Sequence, residues 1–500
     1  MMMRMKNEIS LSPRSRNIII ITLVLLVILR LLMMAHVPLT DTTESRYAEI
    51  ARKMVETNNW ITPQYDYGIP FWAKPPLSTW ASALGIKCFG VNQFAVRFFI
   101  FLVALGMGWL TFHWVKTVRS RSYAWLAVLV LASTTSFFIS SGMVMTDLIM
   151  IAGTTLCMVS FWNAFHVDRH RKIYGYLFFV GLAIGLLAKG PIAVVLTGIP
   201  LFLWLIWNGG WKDFFLKLPW ISGTILMLAL AIPWYFLAER ATPGFINYFI
   251  IGEHFSRFVV SGWEGDLYGN AHYEPLGTIW IYWFLTTLPW SPLIVFCGFK
   301  VLFRKIKLAK EEKPWISYLV CWVLAPLLFF SLAKNIIPSY TLSGAVAGAV
   351  LTVELWKMAM QANQKRDNLV LGSGLALALI IFSVAYVLFS FIPSKSPKFS
   401  AAVVVDKIRA RSHEENPTIY FYGDRRSYSS EFYTQGKVVR IENLTQLRNI
   451  MNTNGNSFIT FSNRDFRDLP ESISDSFVVI DRNKYKVITL SRGGLISQYE

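Results

Sequence analysis

The chain has 500 residues, of which 54% are hydrophobic, 15% aromatic and only 16% charged. Soluble globular proteins carry roughly 25% charged residues, so this chain lacks the polar surface that a soluble enzyme of its size needs. Its 48 Lys and Arg residues outnumber its 30 Asp and Glu residues, which gives a net charge of +18. These charges stand in short clusters between long apolar segments, and that placement indicates a polytopic membrane protein rather than a nucleic-acid-binding one.

Eleven apolar segments are predicted to cross the membrane, for which about 20 residues are needed. Lys and Arg clusters follow at every second connection, as the positive-inside rule requires if the N-terminus is cytoplasmic. We interpret the first segment as a retained anchor rather than a cleaved signal peptide. A further apolar segment, 77–91, is interpreted as interfacial or re-entrant, and a second extra crossing would give thirteen helices. The predicted spans are 17–38, 98–115, 123–140, 148–166, 173–188, 191–208, 219–237, 276–303, 315–333, 340–356 and 369–392.

This topology predicts a mainly α-helical membrane domain over residues 1–392 and a small soluble α/β domain over residues 393–500. Two long outer-face loops, 39–76 and 238–275, interrupt the membrane domain. The C-terminal domain is placed on the same, periplasmic face and alternates helices with β-rich segments. The predicted strands are Thr418–Tyr422, Ser457–Phe461, Phe477–Ile480 and Lys486–Leu490.

The sequence requires no metal or other cofactor, although a divalent metal stays open. All four cysteines lie in or beside apolar segments, and none falls in the polar C-terminal stretch. We therefore expect neither a disulfide framework nor a clustered zinc site. The cysteines are Cys88, Cys157, Cys297 and Cys321.

The first outer loop is predicted to contain an amphipathic helix that begins near two carboxylates. Asp41 and Glu44 have the spacing of a capping pair at a helix start. Alternatively, one of them accepts a proton from an acceptor nucleophile. A helix of this kind would lie on the membrane surface. Its apolar side chains recur on one face, at Tyr47, Ile50, Ala51, Met54 and Val55.

Five cations stand at predicted outer-face boundaries, against the positive-inside trend. Each lysine there could simply extend to a lipid headgroup. Together they indicate an anionic ligand on that face, and a phosphate or pyrophosphate on a lipid fits best. The cations are Arg46, Lys74, Lys189, Arg257 and Lys334.

Acidic, imidazole and aromatic side chains accompany these cations. Asp147 is an isolated acid that could cap the following helix or act at the site. Glu253 and His254 stand beside Arg257, and a lone histidine is poor evidence for a metal. Tyr340 follows Lys334 within one short segment.

The sequence resembles the polytopic membrane glycosyltransferases of the GT-C type, in particular the lipid A aminoarabinose transferases and the protein O-mannosyltransferases. The motifs occur in the family's order between residues 41 and 340. They are Glu44-x-Arg46-Tyr47-Ala48-Glu49-Ile50-Ala51, Lys74-Pro75-Pro76-Leu77, Asp147, Lys189-Gly190-Pro191, Glu253-His254-x-x-Arg257-Phe258 and Lys334-x-x-x-Pro338-x-Tyr340.

The resemblance implies an inverting glycosyltransferase of the bacterial inner membrane that takes its sugar from a polyprenyl-phosphate donor on the outer face. We expect three classes of site residue. The catalytic candidates are Asp41, Glu44 and Asp147. The donor-phosphate candidates are Arg46, Lys74, Lys189, Arg257, Lys334 and Tyr340. The substrate-binding candidates are Tyr47, Tyr65, Tyr67, Glu253 and His254.

Two positions depart from the pattern of the aminoarabinose transferases, which usually have an acid at each. Thr43 precedes Glu44, and Ala73 precedes Lys74. A lipid A phosphate is already ionised near neutral pH and needs little help from a base, whereas a Ser or Thr hydroxyl needs more. The expected acceptor is therefore lipid A or another envelope glycolipid. A protein O-mannosyltransferase and a lipid-linked sugar flippase stay as alternatives, although the chain has no internal repeat typical of transporters.

Overall fold

A computed structural model describes residues 11–167, 170–256, 265–268, 274–304, 309–360, 364–391, 400–412, 417–423, 427–453, 457–482 and 486–491. Helices occupy most of the chain as far as Phe391, and a five-stranded sheet lies between Ile419 and Ser491. The predicted mainly α-helical fold with a C-terminal α/β part is therefore confirmed. The predicted boundary between residues 392 and 393 lies outside the described residues.

The part of the chain before this sheet is mainly α-helical, with one antiparallel strand pair, β1 (Gln64–Asp66) and β2 (Ile69–Pro70). Among the described residues, two segments have other helical geometries, a π-helix over Asn247–Ser256 and a 3₁₀-helix over Pro338–Gly344. The α-helices are Pro13–His36, Thr43–Thr57, Leu77–Phe89, Gln93–Val118, Arg121–Ser133, Thr135–Ser140, Asp147–His166, Arg171–Lys189, Ile192–Asn208, Trp211–Lys217, Trp220–Ala241, Thr278–Thr286, Ser291–Phe303, Lys313–Ser331, Ala345–Ala359 and Gln364–Phe391.

The chain is a multi-pass membrane protein. Among the described residues, eight helices are long and apolar enough to cross a membrane. A ninth crossing results if Thr278–Thr286 and Ser291–Phe303, which meet at a bend of 110°, form one broken span. Two shorter apolar helices, Arg121–Ser133 and Ile192–Asn208, occupy two further predicted segments. Each of the eleven predicted segments thus contains helix, but the count of eleven crossings is not confirmed.

A buried ion pair connects Arg119, which directly follows the helix Gln93–Val118, to two other helices of the membrane part. Arg119 donates to both carboxylate oxygens of Glu354, from Nε at 2.6 Å and from a terminal guanidinium nitrogen at 2.9 Å. The indole nitrogen of Trp315 donates to the same carboxylate at 2.7 Å. The Trp315 ring packs against that of Trp114, 4.9 Å away between centroids. Since a buried charge without its partner is strongly destabilising, this contact fixes the helices to one another.

The structure divides into two compact units. The first comprises Met1–Leu31, Asn59–Ala81 and Arg97–Ser383, and the second comprises Leu32–Asn58, Ser82–Val96 and Val384–Glu500. Several helices contribute residues to both units.

The second unit contains the mixed β-sheet, whose strands in chain order are β3 (Ile419–Tyr422), β4 (Val438–Ile441), β5 (Phe458–Ser462), β6 (Phe477–Arg482) and β7 (Lys486–Ser491). Their order in the sheet is β4-β3-β5-β7-β6. β3 pairs in parallel with β4 and β5, and β7 pairs antiparallel with β5 and β6. Four of these strands were predicted. β4 was missed because it is short and mostly exposed, and therefore lacks a clear buried face.

Five helices accompany this sheet in the part of the chain that the structure describes. The buried side chains of Val405 and Ile408, from the first of them, pack against Ile419 of β3 and Ile488 of β7. This apolar cluster explains why the C-terminal segment forms a layered α/β structure. The helices are Ala402–Arg409, Tyr428–Tyr433, Leu444–Thr453, Asn463–Arg467 and Glu471–Ser474.

The predicted amphipathic helix of the first loop also lies in the second unit and extends over Thr43–Thr57. It ends at Asn58, whose left-handed backbone (φ 51°) is the usual way to terminate a helix. Its polar side is buried as well as its apolar side, because Glu49, Arg52 and Lys53 are all enclosed. The polar face is therefore covered by protein, which differs from the predicted surface helix.

Candidate functional site

The first unit gathers polar side chains from distant segments into one group. Two lysines are paired there with two acids, Lys189 with Asp147 and Lys74 with Glu253. His254, next to Glu253 in the chain, contacts the backbone of Lys189 and so connects the two pairs. The contributing segments are the bend before Leu77, the start of the helix Asp147–His166, the end of the helix Arg171–Lys189, the π-helix Asn247–Ser256 and the 3₁₀-helix Pro338–Gly344.

Lys189 and Asp147 form the first ion pair. The lysine Nζ lies 2.7 Å from Asp147 Oδ1, and the two side chains are only 12% and 6% exposed. Ser339 Oγ donates to the same carboxylate oxygen at 3.1 Å. The Tyr340 ring completes the group, since its centroid lies 4.7 Å from Lys189 Nζ in a cation–π contact. Asp147 is thus held by side chains from two other segments.

The turn after Lys189 requires a glycine. Gly190 has φ +90°, a region that side chains other than glycine rarely adopt, and it ends the helix. A Cβ at this position would lie 2.6 Å from the Phe249 ring and 3.1 Å from the His254 ring. Gly190 therefore lets the end of the lysine-bearing helix pack directly against the π-helix.

The π-helix carries Glu253 and His254 into the same group. His254 Nε2 lies 3.2 Å from the Lys189 carbonyl oxygen, and Nδ1 lies 2.8 Å from that of Phe249. Phe249 and His254 are five residues apart, which is the spacing of hydrogen-bonded residues in a π-helix. π-Helical turns occur frequently at functional sites because they place consecutive side chains differently from an α-helix.

Lys74 and Glu253 form the second ion pair. Lys74 Nζ lies 3.0 Å from Glu253 Oε2 and donates to the Ala73 carbonyl oxygen at 2.6 Å. The hydroxyl of Tyr248 donates to the other carboxylate oxygen of Glu253 at 3.3 Å. The Glu253 side chain is 3% exposed and that of Lys74 is 19% exposed. The lysine is therefore the more accessible member of the pair.

Aromatic side chains adjoin the Lys74–Glu253 pair. Tyr268 packs against Tyr65 and Phe71, with ring centroids 5.1 and 4.7 Å apart. Its hydroxyl donates to the Pro70 carbonyl oxygen at 2.8 Å and accepts from the Trp72 amide at 3.1 Å. Burial raises the pKa of Tyr268 to about 12, so the phenol stays neutral. These contacts hold the segment before the Lys74 bend.

The other predicted residues of the first unit are placed differently. Tyr67 is 49% exposed in the turn between β1 (Gln64–Asp66) and β2 (Ile69–Pro70). Lys334 is exposed, and its carbonyl oxygen accepts from the Glu274 amide at 2.8 Å. Arg257 lies outside the described residues. Ser339, Tyr248 and Tyr268 belong to the site but were not predicted from the sequence.

The remaining candidates belong to the second unit. Asp41 accepts four hydrogen bonds, from Ser45, Ser427 and Ser429. The Thr40 amide donates to Glu44 Oε2 at 3.4 Å, but Thr40 lies two residues before the cap residue Thr42, so this bond is not the predicted capping pair. The Arg46 guanidinium lies over the ring of the buried Tyr47, 5.6 Å from its centroid. Asp41 precedes the helix rather than capping it, because the cap residue is Thr42 and its side chain makes no capping bond.

His254 makes the stability of the protein depend on pH. Burial lowers the pKa of its imidazole, and the facing carbonyl groups of Phe249 and Lys189 only partly oppose this. In the unfolded chain the ring gains its proton near pH ~6.5, so stability is lost as the pH falls through that range. Between about pH 7.5 and about pH 5.5, the unfolding temperature should fall further for the wild type than for H254Q. Equal falls in the two proteins would contradict this assignment.

Several known proteins are similar to this chain. A family model described as dolichyl-phosphate-mannose-protein mannosyltransferase matches residues 17–249. The solved structure of ArnT from Cupriavidus metallidurans bound to undecaprenyl phosphate has the same fold, with a TM-score of 0.76 at 16% identity. The match covers 96% of this chain and 99% of that one. The resemblance inferred from the motifs is therefore confirmed.

The more particular likeness is to two bacterial proteins, both named undecaprenyl phosphate-α-4-amino-4-deoxy-L-arabinose arabinosyl transferase. The protein from Erwinia tasmaniensis is 31% identical over 309 residues, which cover 60% of this chain and 52% of the relative. The protein from Yersinia enterocolitica is 29% identical over 379 residues, which cover 72% and 65% respectively. The matched part of this chain thus spans about half the length of the first relative.

Proposed function

We propose that this protein is an integral-membrane glycosyltransferase that transfers a sugar from a polyprenyl-phosphate donor to lipid A or another envelope glycolipid. The observation that carries the proposal is the joining of the Lys189–Asp147 and Lys74–Glu253 pairs by one π-helical segment. The ArnT structure with a similar fold contains undecaprenyl phosphate, a polyprenyl phosphate. Lysines that can exchange a carboxylate partner for a phosphate are suited to such a donor.

In the proposed reaction, an acceptor oxygen attacks the anomeric carbon of the sugar with inversion. One carbon–oxygen bond forms, the bond to the donor phosphate breaks, and the electron pair remains on that phosphate. Lys74 and Lys189 stabilise the charge that develops on the leaving group, which is the usual main contribution to such a step. Arg46, Arg257, Lys334 and Tyr340 are the further proposed phosphate contacts.

The carboxylates have separate proposed roles. Asp147 orients Lys189 through their 2.7 Å contact, and Glu253 does the same for Lys74 at 3.0 Å. Glu44 is the proposed acid of the first loop at the acceptor. The proposed contacts to the sugar are Tyr47, Tyr65, Tyr67 and His254. A lipid A phosphate is the favoured acceptor because it is ionised already and needs little proton transfer.

The proposed location is the bacterial inner membrane, with the N-terminus in the cytoplasm. The C-terminal α/β part would then lie on the periplasmic face, together with the first loop. The alternation of Lys and Arg clusters along the sequence supports this orientation.

Mass spectrometry of lipid A and of envelope proteins, from cells with and without the chain, tests the proposal. We expect lipid A to lose one sugar-sized mass when the chain is removed and to regain it on complementation. A loss from peptides instead would favour a protein O-mannosyltransferase, the function named in the matching family description. No loss from either, with donor accumulating on one membrane face, would favour a flippase and contradict transfer.

A further inference from the structure

The carboxylate of Asp41 is saturated by hydrogen bonds within the second unit. Its Oδ1 accepts from the Ser45 hydroxyl at 2.5 Å and from the Ser429 amide at 2.9 Å. Its Oδ2 accepts from the hydroxyls of Ser427 and Ser429, at 3.1 and 2.6 Å. A carboxylate offers about four lone-pair positions, so all of them are occupied by protein donors. To take a proton from the molecule that receives the sugar, Asp41 would have to lose one of these hydrogen bonds.

Three of the four bonds connect the first loop to the C-terminal part of the chain. Ser427 and Ser429 stand at the start of the helix Tyr428–Tyr433, almost 400 residues from Asp41, with sequence separations of 386 and 388. Ser429 itself is fully buried, as is Ser430 beside it. The contact is therefore an enclosed, long-range attachment and not a local cap.

A second attachment involves the other end of the first-loop helix. Lys53 Nζ lies 3.2 Å from Glu431 Oε2, on the same short helix as Ser429, and 3.5 Å from Glu49 Oε1. Arg52 donates to both carboxylate oxygens of Glu49 at 2.7 Å. The side chains of Lys53 and Glu49 are each only 1% exposed. Buried charges of this kind are tolerated only with fixed partners, so they specify how the two helices are aligned.

We infer that the helix Tyr428–Tyr433 of the C-terminal α/β part holds the first-loop helix in position, and that Asp41 is a positioning residue in this attachment and not the base. The inference rests on the proposed function, because the loop helix carries the proposed site residues Glu44, Arg46 and Tyr47. It gives the C-terminal part a role in transfer. Ser427, Ser429 and Glu431 act as positioning residues through Asp41 and Lys53.

Hydrogen exchange on the full-length protein in detergent tests the attachment without any activity. In the S427A/S429A variant, amides of residues 43–57 should exchange at least about tenfold faster than in the wild type, because buried acceptor oxygens of Asp41 lose their donors. S472A, on an exposed serine of the same α/β part, is the matched control and should leave these rates unchanged. Unchanged exchange in S427A/S429A would overturn the inference.

Transfer assays on membranes then separate positioning from proton transfer. Asn can keep the amide and hydroxyl contacts of Asp41, so D41N should retain transfer to within about threefold, whereas D41A should lose about tenfold or more. The effects of D41A and S427A/S429A should add only in part when combined, since both remove the bonds between Asp41 and the two serine hydroxyls, whereas the serine variant also removes the acceptor of the Ala401 amide. The slope of rate against pH should stay the same in D41N.

Two outcomes distinguish the possible failures. If the wild type transfers sugar and D41N is as inactive as D41A, with the acidic limb of its pH profile lost, Asp41 is the base and the inference is wrong. If the wild type transfers no sugar, the proposed function fails, and the exchange rates of residues 43–57 alone decide whether the attachment exists.

Discussion

Replacing Lys189 by Met is expected to lower the rate of sugar transfer by roughly 10²- to 10³-fold, the usual cost of removing one group that stabilises transition-state charge. The variant loses the cation that lies 2.7 Å from Asp147 and 4.7 Å from the centre of the Tyr340 ring. Asp147 keeps its bond from Ser339 but loses its cation while buried, so thermal unfolding of K189M is measured beside its activity. Initial rates in membranes with matched protein levels would measure it.

Lys172 provides the control for that experiment. It lies in the same helix, Arg171–Lys189, but at its other end and with an exposed side chain. K172M should therefore transfer sugar at the wild-type rate. Equal activity in K189M and K172M would remove Lys189 from the site.

Replacing Lys74 by Met is expected to have a similar effect on transfer, roughly 10²-fold or more, for the same electrostatic reason. It also removes the lysine partner of Glu253, whose side chain is 3% exposed, and this should lower the free energy of unfolding by as much as about 3 kcal/mol. A loss of activity in K74M could thus reflect folding alone. Thermal unfolding in detergent would measure this second effect.

The double variant K74M/E253Q separates the two effects. A neutral glutamine needs no cationic partner, so the double variant should unfold at a higher temperature than K74M. If Lys74 contacts the donor phosphate, transfer should remain low despite the recovered stability. Recovery of transfer together with stability would mean that Lys74 acts only on the fold.

The membrane-spanning architecture could be predicted because it depends on local composition. Apolar segments of the required length occur at all eleven predicted positions, and each contains helix in the structure. The number of membrane crossings could not be predicted in the same way, because it depends on how long each helix is and where it breaks. The helix Arg121–Ser133 ends at Thr134, well before the end of the predicted span 123–140, and a second short helix follows it. Hydropathy does not detect such breaks, because both short helices are apolar.

The types of residue at the site could be predicted, but their partners could not. Lys189 and Asp147 are 42 residues apart in the sequence, and Lys74 and Glu253 are 179 apart. Charges at helix ends are visible in a sequence, whereas pairing depends on how the helices pack. Ser339 gave no signal, since a serine near a helix start usually serves as a cap. α-Helical periodicity also does not predict the π-helix that contains Glu253 and His254.

Asp41 illustrates how local spacing can suggest the wrong partner. Its distance from Glu44 predicted either a capping pair or a base, and both interpretations use only neighbouring residues. In the structure, three of its four hydrogen bonds come from Ser427 and Ser429. The sequence contains no pattern that links these positions, because the contact exists only after the C-terminal part has folded.

Transfer by the purified full-length protein in lipid nanodiscs tests the proposed function most directly. The donor would be the polyprenyl-linked sugar fraction extracted from cells that lack the chain, and the acceptor would be purified lipid A. Mass spectrometry should detect one added sugar on lipid A with the wild-type protein and K172M, and almost none with K189M. Unmodified lipid A with the wild-type protein, while the same donor is consumed or moved across the bilayer, would contradict the proposal.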